Sequence, residues 1–95
     1  MARAKQLEMP AIAMTDHGAM YGAIEFYLTA KEYGLTPILG VEAYVAPRRL
    51  SDRDPRLDAN PAHLILLATT TEGYRNLIAL TTSAHLHGFY YKPRI

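Results

Sequence analysis

The stretch AIAMTDHGAMYGAIEFY, residues 11–27, decides the fold that this sequence predicts. Residues Ala11–Thr15 form a short apolar run without polar alternation, which is typical of a strand covered on both faces in a parallel sheet. After Gly18 the apolar residues recur every three to four positions, which is the period of a helix. The stretch therefore predicts a strand that turns sharply at Gly18 into a helix, with Asp16 and His17 at the strand's carboxyl end.

Regular patterns on either side extend this alternation of strands and helices. They are a helix over Ala2–Glu8 stopped by Pro10, strands ILGVEAYV (38–45) and HLILLATT (63–70), and a last helix ended by Gly88. Such an order predicts parallel α/β units. We expect residues 11–15 and 38–45 to be adjacent parallel strands, joined by a helix over Gly18–Tyr33 as a right-handed crossover. Thr69 and Glu72 have capping-box spacing for the last helix.

Between the second and third strands lies an irregular segment, PRRLSDRDPRLDANPA (47–62). It contains three prolines and no periodicity, which predicts an exposed loop of unusual length for a compact domain. Its four arginines are candidates for phosphate contacts, but three aspartates alternate with them and nearly cancel their field. A solvated loop is the favoured interpretation.

Composition narrows the class of protein. The 95 residues suffice for at most one small domain, and a net charge of +1 does not by itself argue for nucleic-acid binding. There is no cysteine, which excludes disulfides and thiolate metal sites. No apolar run approaches the roughly 18 residues of a membrane span, and the N-terminal residues lack the pattern of a signal peptide. We expect a cytoplasmic protein without a membrane partner.

Two residues, one just after the first predicted strand and one within the second, have the chemistry of metal ligands. A neutral imidazole at His17 can ligate zinc or manganese, with Asp16 to orient it; the alternative is that Asp16 caps the helix and His17 merely follows. Glu42 has apolar neighbours on both sides in its strand. If buried without a partner its carboxylate would cost roughly several kcal/mol, so it must be paired, protonated or bound to a cation, unless the strand lies at an edge in water.

The remaining histidines are less informative. His63 opens the third strand, whereas a parallel sheet would place a site at the strand's other end. A surface or capping role is therefore the simpler interpretation, unless the long loop before His63 folds back. His85 and His87 fall in the last turn of a predicted helix, where residues two apart do not share a face. The helix dipole alone favours histidine there, which argues against a metal role.

Four segments, taken in order, resemble a known family: AIAMTDHGAMYGAIEFY, TPILGVEAYVAP, HLILLATTTEGYRNL and GFYYKPRI. They are similar to the PHP (polymerase and histidinol phosphatase) domain of the bacterial replicative DNA polymerase III alpha subunit, over nearly the whole chain. The Thr-Asp-His-Gly turn, the Gly-Val-Glu-Ala-Tyr-Val strand and the Tyr-Tyr-Lys-Pro-Arg tail are the specific parts, and the 47–62 loop is the variable one.

The resemblance implies a distorted (β/α) barrel of mainly parallel strands and crossover helices, with divalent metals (zinc or manganese, or else magnesium) at the strands' carboxyl ends. It implies metal-dependent phosphoester hydrolysis, including 3′–5′ exonuclease action. His17 matches a histidine ligand, Glu42 a carboxylate that bridges two metals, and His63 the histidine after the variable loop. Asp16 matches the residue beside the first histidine, which contacts that ligand and not the metal. His85 and His87 match no ligand of the family.

Other ligands of the family have no counterpart in these 95 residues. A His-x-His motif would precede Met1, and a further histidine and an Asp-x-His motif would follow Ile95. We therefore expect an internal piece of one PHP domain, with a metal site that is incomplete or absent.

Three functions stay open at this point. The first is a phosphoesterase module that is active only when completed by the remainder of the polymerase chain, with DNA and other replicase subunits as partners. The second is a non-catalytic structural or docking module, and the third is a piece of a free-standing PHP phosphoesterase. We also expect self-association, because a partial barrel leaves strand edges and apolar faces uncovered.

Overall fold

The computed structural model describes all 95 residues. Six elements follow one another along the chain: α1 (Ala2–Gln6), β1 (Ala11–His17), α2 (Ala23–Glu32), β2 (Thr36–Val45), β3 (Ala62–Leu67) and α3 (Thr71–Leu86). The result is a mixed α/β fold built on one three-stranded sheet in the order β1-β2-β3. The sheet is open, since β1 and β3 each have one unpaired edge, and closure into a barrel stays a prediction. None of the helices has both the length and the apolar character needed to span a membrane.

The first two strands confirm the parallel pairing that the sequence predicts. β1 and β2 run parallel in a register that begins with Ala11 opposite Thr36 and ends with His17 opposite Glu42. α2 lies between them in the chain and packs mainly against β2. This register matters for the site, because it brings the last residue of β1 beside the carboxylate of the central strand.

The third strand corrects the expectation of a parallel sheet. β3 pairs antiparallel with β2, with Val45 opposite Ala62 and Gly40 opposite Leu67. The physical reason is the connection: residues 46–61 contain no helix to carry the chain back across the sheet, and an antiparallel partner needs no crossover. Gly40 permits this pairing, because a Cβ there would lie 2.5 Å from the carbonyl oxygen of Leu66.

Both long helices begin later than the sequence predicts. α2 begins at Ala23 rather than Gly18, because Gly18 adopts a left-handed φ of 65° and starts a turn. The cap of α3 is Thr70, not Thr69: its side-chain oxygen accepts a hydrogen bond from the backbone N–H of Gly73 at 3.0 Å. Glu72 therefore stands one position too early for a capping box.

The 47–62 segment is largely the exposed loop that its composition predicts, with all four arginines exposed, but it also contains one fully buried carboxylate. The carboxylate of Asp58 is completely buried and accepts hydrogen bonds from the Arg48 guanidinium (Nε at 3.0 Å) and from the backbone N–H of Asp54. These bonds, with the Arg48 contact as the main cause, lower the pKa of Asp58 from its ordinary value. The loop thus folds around the buried carboxylate of Asp58, whose partner Arg48 stays 46% exposed, and local composition does not reveal this contact.

The molecule exposes more surface than a finished domain of its size. Its accessible surface is 6375 Å² and its radius of gyration is 15.4 Å, against about 5,500 Å² and about 12.4 Å for a compact chain of this mass and length. The tightest apolar cluster contains only Ala4, Ala30 and Leu35. The core is accordingly small, and much apolar surface remains uncovered.

Candidate functional site

Glu42 joins two histidines from the two neighbouring strands. Its Oε2 lies 3.2 Å from Nε2 of His17, and its Oε1 lies 2.7 Å from Nδ1 of His63. The three residues that the sequence proposes as ligands therefore meet at one place. The alternative of an edge strand with Glu42 in water is wrong, because β2 is the central strand.

The two pairing registers explain this convergence. In the parallel pair, His17 stands directly opposite Glu42. In the antiparallel pair, His63 stands opposite Tyr44, which alternation places on the same face as Glu42. The antiparallel direction brings the start of β3 to the end of β2, so the position of His63 at the beginning of its strand is no obstacle.

The cluster is open to solvent on its histidine side. The side chain of Glu42 is 23% exposed, whereas those of His17 and His63 are 69% and 54% exposed. An N–H on Nδ1 of His63 can donate to Oε1 of Glu42, and Nε2 of His17 lies within ion-pair distance of Oε2, so both oxygens of Glu42 face an imidazole. The same two nitrogens carry the lone pairs that a metal ion would require, which makes protons and a metal ion competitors at these atoms.

Asp16 lies away from the cluster. Its Oδ2 accepts a hydrogen bond from the backbone N–H of Gly22 at 3.0 Å, just before α2 begins. The side chain therefore holds the turn between β1 and α2. This role resembles the helix-capping alternative, because Gly22 is the N-cap residue of α2. The expected support of the His17 imidazole by Asp16 stays a prediction.

The last two histidines belong to the end of α3. Nε2 of His85 lies 3.1 Å from the carbonyl oxygen of Gly18, so an N–H there ties the helix to the turn behind His17. His87 forms the C-cap of α3. No group of three or more His, Cys, Asp or Glu side chains in the chain has an arrangement that would hold a metal ion as it stands.

Two residues that lie beside the cluster were not predicted from the sequence. The Tyr44 ring meets the His63 ring edge-on, with centroids 5.1 Å apart, and the ammonium group of Lys92 lies 5.2 Å from the Tyr44 centroid. Tyr44 was predictable in part, since it shares a face with Glu42. The place of Lys92 depends on how the tail folds back, and the Tyr-Tyr-Lys-Pro-Arg motif was the only signal.

Comparison with known proteins gives a consistent result. The family model described as "PHP domain" matches residues 1–95. DNA polymerase III subunit alpha of Chlamydia trachomatis is 48% identical over 100% of this chain, and that of Borreliella burgdorferi is 47% identical over the same share. The Thermus aquaticus subunit is 52% identical over 93% of the chain.

The match covers a small part of each relative. The chain spans 8% of the length of the Chlamydia and Borreliella proteins and 7% of the Thermus protein. The similarity therefore concerns this region and not the polymerases as wholes. Since the family model covers every residue and these relatives agree over nearly the same span, the chain belongs to the PHP domain family.

Proposed function

We propose that this chain forms part of the PHP domain of a DNA polymerase III alpha subunit, and that His17, Glu42 and His63 provide metal ligands in that domain. The observation that carries the proposal is the contact of one carboxylate with two imidazoles from different strands. The assignment to this parent protein is supported by relatives named as that subunit, which are 47–48% identical over the whole chain. The complete domain would act as a metal-dependent phosphoesterase of the 3′–5′ exonuclease type.

The donor chemistry fits a divalent ion. Imidazole nitrogen and carboxylate oxygen are the ligands that zinc and manganese share, and magnesium accepts the carboxylate alone. Two ligand atoms of one tetrahedral zinc are about 3.4 Å apart, given metal–ligand distances of about 2.1 Å. The separation of 3.2 Å between His17 and Glu42 is close to that value. Binding would require the loss of any proton on the two ring nitrogens and a wider separation of His63 from Glu42 than the present 2.7 Å.

A bound divalent ion supplies an activated water and stabilises the leaving oxygen of a phosphoester. The residues of this chain have supporting tasks that follow from their contacts. Glu42 orients both imidazoles, and Gly18 and Asp16 fix the turn that ends β1. Three side chains are too few for a pair of ions, so the proposal assigns the other ligands to the remainder of the polymerase chain.

Calorimetric titration of the chain with Zn²⁺ and Mn²⁺ tests the ligand assignment. We expect weak binding that falls at least tenfold in His17→Ala and in Glu42→Gln. The matched control is His87→Ala, which removes an imidazole at the end of α3. Equal losses in the control, or unchanged binding in both site variants, would contradict the assignment.

A second candidate is a structural or docking module without catalysis. It is favoured by uncovered apolar side chains on β3, where Leu64, Ile65 and Leu67 are about half exposed, and by an open cleft of about 520 Å³ beside α2 and the start of α3. In this case the remainder of the polymerase chain or another replicase subunit would cover these surfaces. Zinc binding that leaves phosphoester hydrolysis by the parent polymerase unaffected would favour it.

The wider setting is part of the same proposal. DNA would reach this region through the parent polymerase, other replicase subunits would be neighbours, and the location would be cytoplasmic. Co-purification of the full-length polymerase, compared with a variant that lacks this region, tests which subunits bind through the region.

A further inference from the structure

We infer that Lys92 binds a phosphate group of a single-stranded nucleic acid beside the Glu42 cluster. The inference rests on the proposed function, because it takes the cluster as the place where a phosphoester is held. It adds a substrate-binding residue that lies outside the proposed metal ligands.

The tail is fixed by a buried arginine. The Arg94 side chain is 0% exposed, and its guanidinium donates to the carbonyl oxygens of Gly88 at 2.8 Å and Leu50 at 2.9 Å. Backbone bonds add to this: Ile95 N–H donates to the Tyr44 carbonyl at 2.7 Å, and Tyr90 N–H to the Lys92 carbonyl at 3.0 Å. Lys92 therefore projects from a fixed segment at the end of β2.

The ammonium group of Lys92 is linked to the cluster through two aromatic contacts. Lys92 lies over the Tyr44 ring at 5.2 Å, and that ring contacts His63 at 5.1 Å. His63 in turn contacts Glu42. A continuous row of contacts thus connects the ammonium group with the cluster, and the cation–π contact restricts its position without neutralising its charge.

Lys92 carries a positive charge that no carboxylate pairs with. Lys92 is exposed and forms no salt bridge, whereas Arg48 is paired with Asp58 and Arg94 is buried. An exposed ammonium group without a carboxylate partner, held beside a cluster suited to phosphoester chemistry, is a ready phosphate contact. A strand whose scissile ester lies over Glu42 would bring this or an adjacent phosphate to Lys92.

The test is an NMR titration of the ¹⁵N-labelled chain with a thymidine trinucleotide, in EDTA and at several salt concentrations. We expect shifts around Lys92, Tyr44 and His63. Lys92→Met, which keeps the aliphatic contact with the Tyr44 ring, should weaken binding severalfold and lower the salt slope by about 0.7. Lys92→Arg should restore both. Lys31→Met is the matched control, since Lys31 lies over the Tyr27 ring in the same way on α2.

Several outcomes would overturn the inference. They are unchanged affinity and slope in Lys92→Met, an equal loss in Lys31→Met, or shifts confined to residues remote from Lys92. If Lys92→Met unfolds, the shift map of the native chain decides. Because EDTA removes metal ions, failure here is separate from failure of the metal titration: each can occur without the other.

Discussion

The carboxylate of Glu42 lies 2.7 Å from Nδ1 of His63, although the two residues are 21 positions apart and their strands run in opposite directions. The path of the long segment between β2 and β3 determines where β3 begins, and therefore where His63 lies relative to Glu42. The candidate site is therefore only as stable as the loop and the turn that frame it, and two predictions concern those supports.

Gly18→Ala should destabilise the chain by at least about 2 kcal/mol. An alanine there would take a left-handed φ, which costs about 1–2 kcal/mol, and its Cβ would lie 2.8 Å from the Tyr44 ring and 2.9 Å from Pro93. Chemical denaturation followed by circular dichroism measures the change.

Gly34→Ala is the matched control. Gly34 also has a left-handed φ, of 71°, but a Cβ there meets nothing closer than Nζ of Lys5 at 3.5 Å. It should cost about 1 kcal/mol from the backbone alone. Equal losses at the two glycines would show that packing of Tyr44 against the turn contributes nothing.

Acid should unfold the chain through Asp58. Its pKa is lowered in the folded state, chiefly by the hydrogen bond from Arg48. A carboxyl group with a lowered pKa stabilises the fold above its unfolded pKa of about 3.9, and this stabilisation is lost as pH falls through the folded value. Asp58→Asn should be less stable at pH 7 and nearly independent of pH below about 4. Glu25→Gln on α2, which removes an exposed carboxyl group, should keep the native pH profile; the same flattening there would refute the role of Asp58.

The isolated chain should self-associate. β1 and β3 each have a free edge, and the apolar side chains of β3 are about half exposed. Free edges and uncovered apolar surface favour association with another copy. Sedimentation velocity over a range of micromolar concentrations should give a rising average mass. A single monomeric species with a sharp melting transition would contradict this prediction.

The sequence predicted the local structure better than the long-range structure. The apolar patterns of Ala11–Thr15 and Ile38–Val45 are sufficient to predict strands. Their predicted parallel pairing is confirmed. β3 is antiparallel where a parallel sheet was expected. The absence of a helical pattern in residues 47–62 was the available signal, because a parallel partner needs a crossover. The path of the loop was not readable, since it depends on a bond from Arg94 to Leu50 across 44 positions. No local pattern reports such a contact.

The same contrast between local and long-range structure applies to the candidate site. His17 and Glu42 were proposed together from strand ends, an apolar environment and a family resemblance. His63 was proposed from the resemblance alone, since its place looked unfavourable in a parallel sheet. The position of Lys92 depends on the folded tail, and no pattern in the sequence places it near Tyr44.

These 95 residues alone should not hydrolyse phosphoesters at a useful rate. Catalysis by a metal pair needs two held ions, and three ligands hold at most one well. Incubation with Mn²⁺ and a single-stranded oligonucleotide, or with nitrophenyl phosphate, should give no product above background. Hydrolysis that disappears in the double variant His17→Ala/Glu42→Ala would contradict this, and would indicate that two copies complete one site.

The central claim is that His17, Glu42 and His63 form one metal-binding cluster, and imidazole ¹⁵N spectra of the chain during Zn²⁺ addition test it most directly. Nε2 of His17 and Nδ1 of His63 face the carboxylate of Glu42, so we predict that these two nitrogens shift on zinc binding and that Glu42→Gln weakens the response. Shifts confined to His85 and His87, with His17 and His63 unchanged, would contradict the claim.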